Sequence, residues 1–220
     1  MSVGTSPDDA VHLVATRIPL SDNGHCPRVA IDGPDGAGKT YFADELAAIL
    51  QAQQRPVVRV SLDDFHNTRA VRYRLGHDSP EGFWLDSYHY ERFHSDVLTP
   101  FSPGGSRSYR VAAHDLGTDA ILNPVPRTAA PGTVLVVDGI FLHRNELAER
   151  WDLSVFLDVP FSETARRMAL RDGTNPDPEH PSMRRYVEAQ RRYFRECNPQ
   201  QRATVLIDNR GLGCPVVVRA

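Results

Sequence analysis

A glycine-rich segment between an apolar stretch and an amphipathic one constrains this chain most. Residues 31–40 read IDGPDGAGKT, so Gly33 is followed, after four residues, by Gly38, Lys39 and Thr40. This is the G-x-x-x-x-G-K-[ST] pattern of a phosphate-binding loop. Glycines let backbone N–H groups approach phosphate oxygens, and a helix that begins near Lys39 directs its positive end at the same anion. The sequence therefore predicts a nucleotide-binding site.

The segments on both sides of this loop predict the fold. An apolar run at residues 28–32 precedes the loop, and apolar positions recur at helical spacing over about 39–53. Further apolar runs without alternation lie at 57–61, 133–137, 153–159 and 204–208. Buried strands separated by helices are typical of a mostly parallel sheet that is covered on both faces. We predict a three-layer α/β P-loop NTPase fold, in which strands 28–32 and 57–61 form a parallel pair with a right-handed crossover.

The other segments are assigned by periodicity and by breaker residues. Residues 66–86 are interpreted as irregular, and 87–98 as a helix with Ser87 as its N-cap. Two further helices are predicted at 161–172 and 182–197, joined by a Pro- and Gly-rich hinge. We expect an N-terminal leader over 1–27, with one element around 10–18, and a single domain over 28–220 that contains the phosphate-binding loop. Within it, a helical lid should cover about 171–195.

Composition narrows the classes of function. A net charge of −3 over 220 residues argues against a general nucleic-acid binder, which needs a basic surface. We expect no membrane span, because no run of 18 apolar residues occurs, and no secretory signal. The three cysteines are far apart and are interpreted as free thiols in a reducing compartment. A cytoplasmic protein is expected, and homo-oligomerisation stays open.

Carboxylates at strand ends complete the predicted phosphoryl-transfer site. Asp138 follows the strongest apolar strand and, with the Thr40 hydroxyl, is predicted to organise Mg²⁺. Asp63 follows strand 57–61 and is the predicted base for an attacking hydroxyl, with Asp64 as the alternative. The residues predicted to bind the nucleotide are Gly33, Asp35, Gly36, Ala37, Gly38, Lys39 and Thr40.

Three blocks of sequence resemble one known family. Residues 32–40, 61–66 (SLDDFH) and 138–141 (DGIF) are similar to the uridine kinase and phosphoribulokinase branch of the P-loop kinases, and the resemblance extends over about 28–209. It implies that Asp63 is the general base. Uridine kinases usually carry Glu-Gly-Ile where this chain has Asp138, Gly139 and Ile140.

The same resemblance implies an acceptor pocket and a lid. Tyr109 and His114 keep the spacing of a segment that lines the nucleoside pocket in the family, although the intervening Asp and Phe are replaced here by Arg and Val. Glu81 matches the position of an acid that binds ribose hydroxyls, and Asp86 is its alternative. Of the lid arginines, the candidates for stabilising the transferring phosphoryl group are, in order, Arg171 and Arg167, which act together with Lys39.

These features predict a kinase that uses ATP, or GTP, with Mg²⁺. The expected acceptor is the 5′-hydroxyl of a nucleoside such as uridine or cytidine. Pantothenate, a sugar phosphate or nicotinamide riboside would use the same phosphate machinery. A nucleotide-binding switch with little turnover is the remaining alternative, although such a protein needs no acceptor base.

Overall fold

A computed structural model describes residues 7–21, 24–211 and 213–220. The strands are β1 (Arg28–Asp32), β2 (Val57–Ser61), β3 (Ser108–Tyr109), β4 (His114–Asp115), β5 (Ala120–Ile121), β6 (Arg127–Thr128), β7 (Val134–Asp138), β8 (Leu153–Asp158), β9 (Val205–Asp208) and β10 (Val216–Arg219). The α-helices are α1 (Pro7–Arg17), α2 (Lys39–Ala52), α3 (Arg69–Arg72), α4 (Pro80–Asp86), α5 (Tyr90–Phe93), α6 (Phe161–Asp172), α7 (Arg184–Cys197) and α8 (Pro199–Arg202). Single helical turns occupy Leu62–Phe65, His94–Leu98, Ala148–Arg150 and Pro181–Met183.

The main sheet has the strand order β10-β9-β8-β1-β7-β2, and all neighbours are parallel except β9 and β10. The predicted α/β fold is therefore confirmed. The expectation that β1 and β2 pair directly is wrong, because β7 lies between them and pairs with both. As a result, the carboxyl end of β7, which carries Asp138, lies next to the phosphate-binding loop that follows β1.

Both faces of the sheet are buried, as the continuous apolar runs predict. In β1, Val29 and Ile31 pack in the cluster that contains α1 and α2, whereas Ala30 packs in the cluster on the other face. The side of α2 that faces the sheet is also buried, at Phe42, Ala43, Leu46, Ala47 and Leu50. Strand side chains alternate between the two faces, so this double burial holds the strand register in place.

The structure corrects one helix prediction and moves the start of another. Residues 66–86, expected to be irregular, contain α3 and α4, and Ser79 caps α4 by accepting a 3.0 Å hydrogen bond from the N–H of Gly82. The helix expected over 87–98 is present but begins three residues later, at Tyr90, because α5 continues directly into the π-helical turn at His94–Leu98. Ser87 lies at the C-terminal end of α4 instead of at a helix start. The next residue, Tyr88, forms an antiparallel bridge with His66, which interrupts the helical path.

The segment predicted as a leader contributes to the core. Helix α1 packs on α2 and buries Ala10, Val11, Val14 and Ala15 in the same cluster as β1, together with Ile18, the residue that follows the helix. In the described parts of the chain, no helix combines the length and apolar composition that crossing a bilayer requires. Cys26, Cys197 and Cys214 are free thiols, as predicted.

Candidate active site

The phosphate-binding loop connects β1 to α2 through backbone conformations that favour glycine. Gly36 and Gly38 have φ angles of +76° and +89°, a region that residues with a Cβ rarely adopt. A Cβ on Gly36 would lie 2.9 Å from the carbonyl oxygen of Thr164, so α6 also excludes a side chain there. The Lys39 ammonium group donates to the carbonyl of Pro34 at 2.9 Å and therefore lies over the loop. The loop is thus shaped to present N–H groups and one cation to an anion.

Thr40 and Asp138 meet at the end of the loop, as predicted. The Thr40 hydroxyl donates to Asp138 Oδ2 at 2.6 Å. Asp138 is buried, and its other oxygen, Oδ1, accepts from Arg59 Nη1 at 3.1 Å. Arg59 also binds the carboxylate of Asp44 on α2. Arg59 was not predicted, although a charged residue inside the apolar run VVRVS of β2 was a usable signal.

The Thr40 and Asp138 oxygens fit a magnesium ion. Mg²⁺ prefers hard oxygen ligands and is usually held by one or two protein groups together with phosphate oxygens. Among the described residues, no group of three or more His, Cys, Asp or Glu side chains could hold a metal by itself. A site made of Thr40, Asp138 and nucleotide phosphates therefore matches the donors that this chain supplies.

Asp63 lies on the helical turn after β2, at the same edge of the sheet. Strand β2 pairs Ser61 with Asp138, so the turn begins beside the Thr40–Asp138 pair. Burial raises the pKa of Asp35 in the loop. The positive charge of Lys39 lowers the same pKa and the negative charge of Asp63 raises it, so the three groups lie in one electrostatic environment. The Tyr88 hydroxyl donates to Asp63 Oδ1 at 2.9 Å and orients the carboxylate.

The alternative base, Asp64, is held differently. Its backbone carbonyl accepts from the N–H of Ala113 at 2.8 Å, which attaches the turn to the segment before β4. Burial raises the pKa of the Asp64 carboxyl, and the negative charges of Asp63 and Asp138 raise it further. Asp64 and Asp63 both remain solvent-exposed, and among the described residues no side-chain donor such as the Tyr88 hydroxyl is found for Asp64, so the structure does not favour Asp64 over Asp63.

A cavity of about 320 Å³ lies against the end of the turn that carries Asp63, although Asp63 itself does not line it. Its lining residues are His66, Asn67, Thr68, Val71, His89, Arg92, Ala113, His114 and Ile121. His66 connects the cavity to the predicted base, because its Nδ1 lies 2.6 Å from the carbonyl oxygen of Asp63 and its ring contacts the ring of Tyr88. This volume is at the lower end of the range found for small-molecule sites.

His114 lines the cavity, as the resemblance implies for a residue of the acceptor pocket. The side chain is buried, and Nε2 lies 3.0 Å from Asp119 Oδ1. Its Nδ1 is buried and has no hydrogen-bond partner among the described residues. An imidazole that donates through Nε2 to a carboxylate carries a lone pair on Nδ1, which can accept a hydrogen bond from a ligand.

The structure places three other predicted acceptor residues outside this cavity. Tyr109 is a core residue whose ring packs edge-on against Phe101, since β3 directs it inward. Asp86 is buried and engaged by Arg74 through two hydrogen bonds of 2.8 and 2.9 Å, so it is committed to an ion pair. Glu81 is exposed on the first turn of α4, where it lines a surface depression with Arg184, Glu188, Arg192 and Arg195. None of these three lines the cavity beside Asp63.

The two lid arginines have different environments. Arg171 is exposed near the C-terminal end of α6, pairs with Asp172 and interacts electrostatically with Asp35 and Asp63. Arg167 is buried, and its guanidinium donates to the backbone carbonyls of Gly36, Asn209 and Arg210 as well as to Glu163. Arg167 was predicted as a catalytic candidate, but its donors already satisfy loop carbonyls, so the geometry assigns it to the support of the phosphate-binding loop. The contact of Arg171 with phosphate stays a prediction, supported by its electrostatic interaction with Asp35 and Asp63.

Comparison of the sequence with known proteins gives limited matches. No family model matches the chain. A segment of 92 residues is 30% identical to the uncharacterized kinase mug58 of Schizosaccharomyces pombe, and it represents 40% of this chain and 33% of that protein. The chain therefore matches about a third of the length of this relative.

Comparison of the structure gives matches over most of the chain. A possible uridine kinase from Bacillus stearothermophilus is 22% identical, with a TM-score of 0.71 and coverage of 90% of this chain and 97% of that one. Phosphoribulokinase from Rhodobacter spheroides is 12% identical, with a TM-score of 0.55 and coverage of 84% and 71%. D-glycerate 3-kinase from Cryptococcus neoformans var. grubii is 11% identical, with a TM-score of 0.55 and coverage of 87% of each chain. The resemblance inferred from residues 32–40, 61–66 and 138–141 is confirmed at the level of the fold: this chain has the α/β fold of the P-loop kinases related to uridine kinase and phosphoribulokinase.

Proposed function

We propose that the protein is a kinase that transfers the γ-phosphoryl group of ATP to a hydroxyl group of a small molecule. The observation that carries the proposal is the position of Asp63, which shares one edge of the sheet with Lys39 and the Thr40–Asp138 pair. Its backbone carbonyl contacts His66, which lines a cavity of ligand size. A nucleotide-binding switch needs neither an acceptor base nor an acceptor cavity.

Each group then has a role in an in-line transfer. Backbone N–H groups of the loop and the ammonium group of Lys39 hold the phosphates. Asp63 Oδ2 takes the proton of the acceptor hydroxyl, and the hydroxyl oxygen of the acceptor forms a bond to the γ-phosphorus. The bond between the γ-phosphorus and the β,γ-bridging oxygen breaks, so that ADP leaves. Arg171 is placed to offset the charge on the phosphoryl oxygens. Mg²⁺, held by Thr40 and Asp138, would neutralise phosphate charge.

For the acceptor, we propose the 5′-hydroxyl of a nucleoside such as uridine or cytidine. The position of His114 in the lining of the cavity supports this acceptor, because the resemblance places that residue in the nucleoside pocket. The neighbours with the same fold include sugar and glycerate kinases by name, so pantothenate, a sugar phosphate and nicotinamide riboside belong in the same test. ADP release measured over this panel identifies the acceptor.

The decisive experiment replaces the proposed base. Asp63→Asn should leave the affinity for MgATP nearly unchanged and lower acceptor-dependent ADP production on the order of 10²- to 10⁴-fold. Asp64→Asn removes the neighbouring carboxylate and is the matched control, for which we expect a much smaller loss. If Asp63→Asn keeps near-full activity, Asp63 is not the base. If the wild type binds MgATP but no acceptor stimulates ADP release, the kinase proposal is wrong.

A further inference from the structure

Asp32 is a fully buried carboxylate that the proposed mechanism does not use. It ends β1, directly before the phosphate-binding loop, and its Oδ1 accepts from the backbone N–H of Gly33 at 2.7 Å. Its Oδ2 accepts from the backbone N–H of His143 at 3.0 Å and lies 2.7 Å from His143 Nδ1. The hydroxyl of Tyr193 donates to the same oxygen. The first glycine of the loop is therefore held through a carboxylate that depends on other parts of the chain.

Tyr193 connects this carboxylate to helix α7. Its ring is fully buried between Trp84, Phe141 and Phe194. Burial and the adjacent Asp32 carboxylate raise the pKa of Tyr193 well above its ordinary value, so the hydroxyl retains its proton and remains a donor. Displacing α7 would remove this donor from Oδ2 of a buried charge, which is costly in a low-dielectric interior.

A second side chain of α7, about one helical turn before Tyr193, also contacts the loop. Gln190 is buried, and its Oε1 accepts from the backbone N–H of Asp35 at 3.0 Å while its Nε2 donates to Asp35 Oδ2 at 3.2 Å. Positions 190 and 193 are three residues apart and so lie on one face of α7. One helix face thus contacts Asp32 and Asp35, the residues on either side of Gly33 and Pro34 at the start of the predicted phosphate loop.

We propose that Tyr193 and Gln190 are positioning residues through which the docking of α7 sets the phosphate-binding conformation of the loop. Nucleotide binding and the docking of α7 then stabilise each other, because a coupling free energy between two sites is reciprocal. The inference rests on the proposed function only in requiring that the loop binds MgATP.

Removing the Tyr193 hydroxyl is the most direct test. Tyr193→Phe keeps the ring and its packing but deletes one donor to Asp32. The dissociation constant of MgATP, measured by titration with a fluorescent ATP analogue, should rise about tenfold, the effect of losing one charge-assisted hydrogen bond. The KM of the acceptor should not change. In wild type, MgATP should slow hydrogen exchange of the α7 amides, and this protection should be smaller in Tyr193→Phe.

Two further variants separate positioning from loss of helix stability. Cys197→Ala removes a buried side chain one turn farther along α7, so it should lower the melting temperature without changing the dissociation constant of MgATP. Gln190→Leu removes the second contact with little change in volume and should also weaken MgATP binding. Its dissociation constant for MgATP tests the same inference if Tyr193→Phe folds poorly.

The outcomes distinguish the inference from the function on which it rests. If wild type binds MgATP and both Tyr193→Phe and Gln190→Leu bind it within twofold of Cys197→Ala, the contacts only stabilise the fold and the inference is wrong. If wild type itself binds no MgATP, the proposed function is wrong and the inference falls with it. Weaker binding in the two α7 variants with normal binding in Cys197→Ala supports the inference.

Discussion

The hydroxyl of Thr40 and the carboxylate of Asp138 form a 2.6 Å hydrogen bond between two segments that are 98 residues apart. The bond joins the start of α2 to the end of β7, and the adjacent pairing of β1 with β7 makes it geometrically possible. Both oxygens therefore face the place where nucleotide phosphates are expected, and Arg59 balances the charge of the carboxylate from the other side.

The first prediction concerns this pair. Asp138→Asn should weaken the binding of ATP in the presence of Mg²⁺ about tenfold or more, because the amide supplies a poorer ligand for Mg²⁺. Titration of a fluorescent ATP analogue at several Mg²⁺ concentrations measures the effect. Asp44→Asn is the control, since it removes the exposed partner of the same Arg59 and should leave the Mg²⁺ dependence intact. Equal effects in the two variants would contradict the magnesium assignment.

The second prediction separates the two lid arginines. Arg167→Ala should lower the free energy of unfolding by about 2 to 4 kcal/mol, because three backbone carbonyls lose a buried donor. Arg171→Ala should change it by less than about 0.5 kcal/mol, as for most exposed sites, while lowering turnover roughly 10²-fold. Urea unfolding and steady-state ADP release provide the two measurements. A stable Arg167→Ala enzyme with strongly reduced turnover would restore Arg167 as a catalytic residue.

The third prediction uses two glycines with similar backbone angles. Gly36→Ala should cost about 2 to 4 kcal/mol of stability and prevent nucleotide binding, because a left-handed φ is combined with a Cβ that would lie 2.9 Å from a backbone oxygen. Gly173→Ala, at a φ of +70° with no atom within 4 Å of its Cβ, should cost only about 1 kcal/mol. Urea unfolding of both variants measures the difference. Equal costs would mean that contact with Thr164 does not constrain the loop.

The fourth prediction concerns the decrease in folding stability at acidic pH. Burial lowers the pKa of His66 from its ordinary value of 6.5, although the carbonyl and the charge of Asp63 oppose this shift. Above pH 6.5 the imidazole is neutral in both the folded and the unfolded chain. As the pH falls below 6.5, the unfolded chain binds the proton first, so folding stability decreases until the pKa of the folded state is passed.

His66→Gln should reduce this loss. The difference in unfolding free energy between pH 7.5 and pH 5.5 should be smaller in the variant than in wild type. His77→Gln, at an exposed histidine, should behave as wild type. A pH dependence that is unchanged in His66→Gln would mean that the cavity tolerates the protonated ring.

Predictions from the sequence were most accurate where one short segment contains all the information. Residues 33–40 specify the phosphate loop because the glycines and the following helix act within a few residues of one another. The helix predicted from Ser87 begins only at Tyr90 because Tyr88 pairs with His66, a contact that no local pattern signals. Tyr109 was misassigned for a similar reason: its spacing from His114 is compatible with a pocket, but contact with Phe101 turns its ring into the core.

The sequence by itself determined the phosphate-binding loop, the buried parallel strands and the candidate carboxylates Asp63 and Asp138, since these follow from local backbone preference and apolar runs. Only the tertiary structure decided which side chains meet. The insertion of β7 between β1 and β2 brings Thr40 to Asp138, and the packing of α7 brings Tyr193 to Asp32, 161 residues away. Such pairs depend on the order in which strands and helices pack. The hydrogen-bond donors of a buried carboxylate come from segments that are distant in sequence, so local patterns do not identify them.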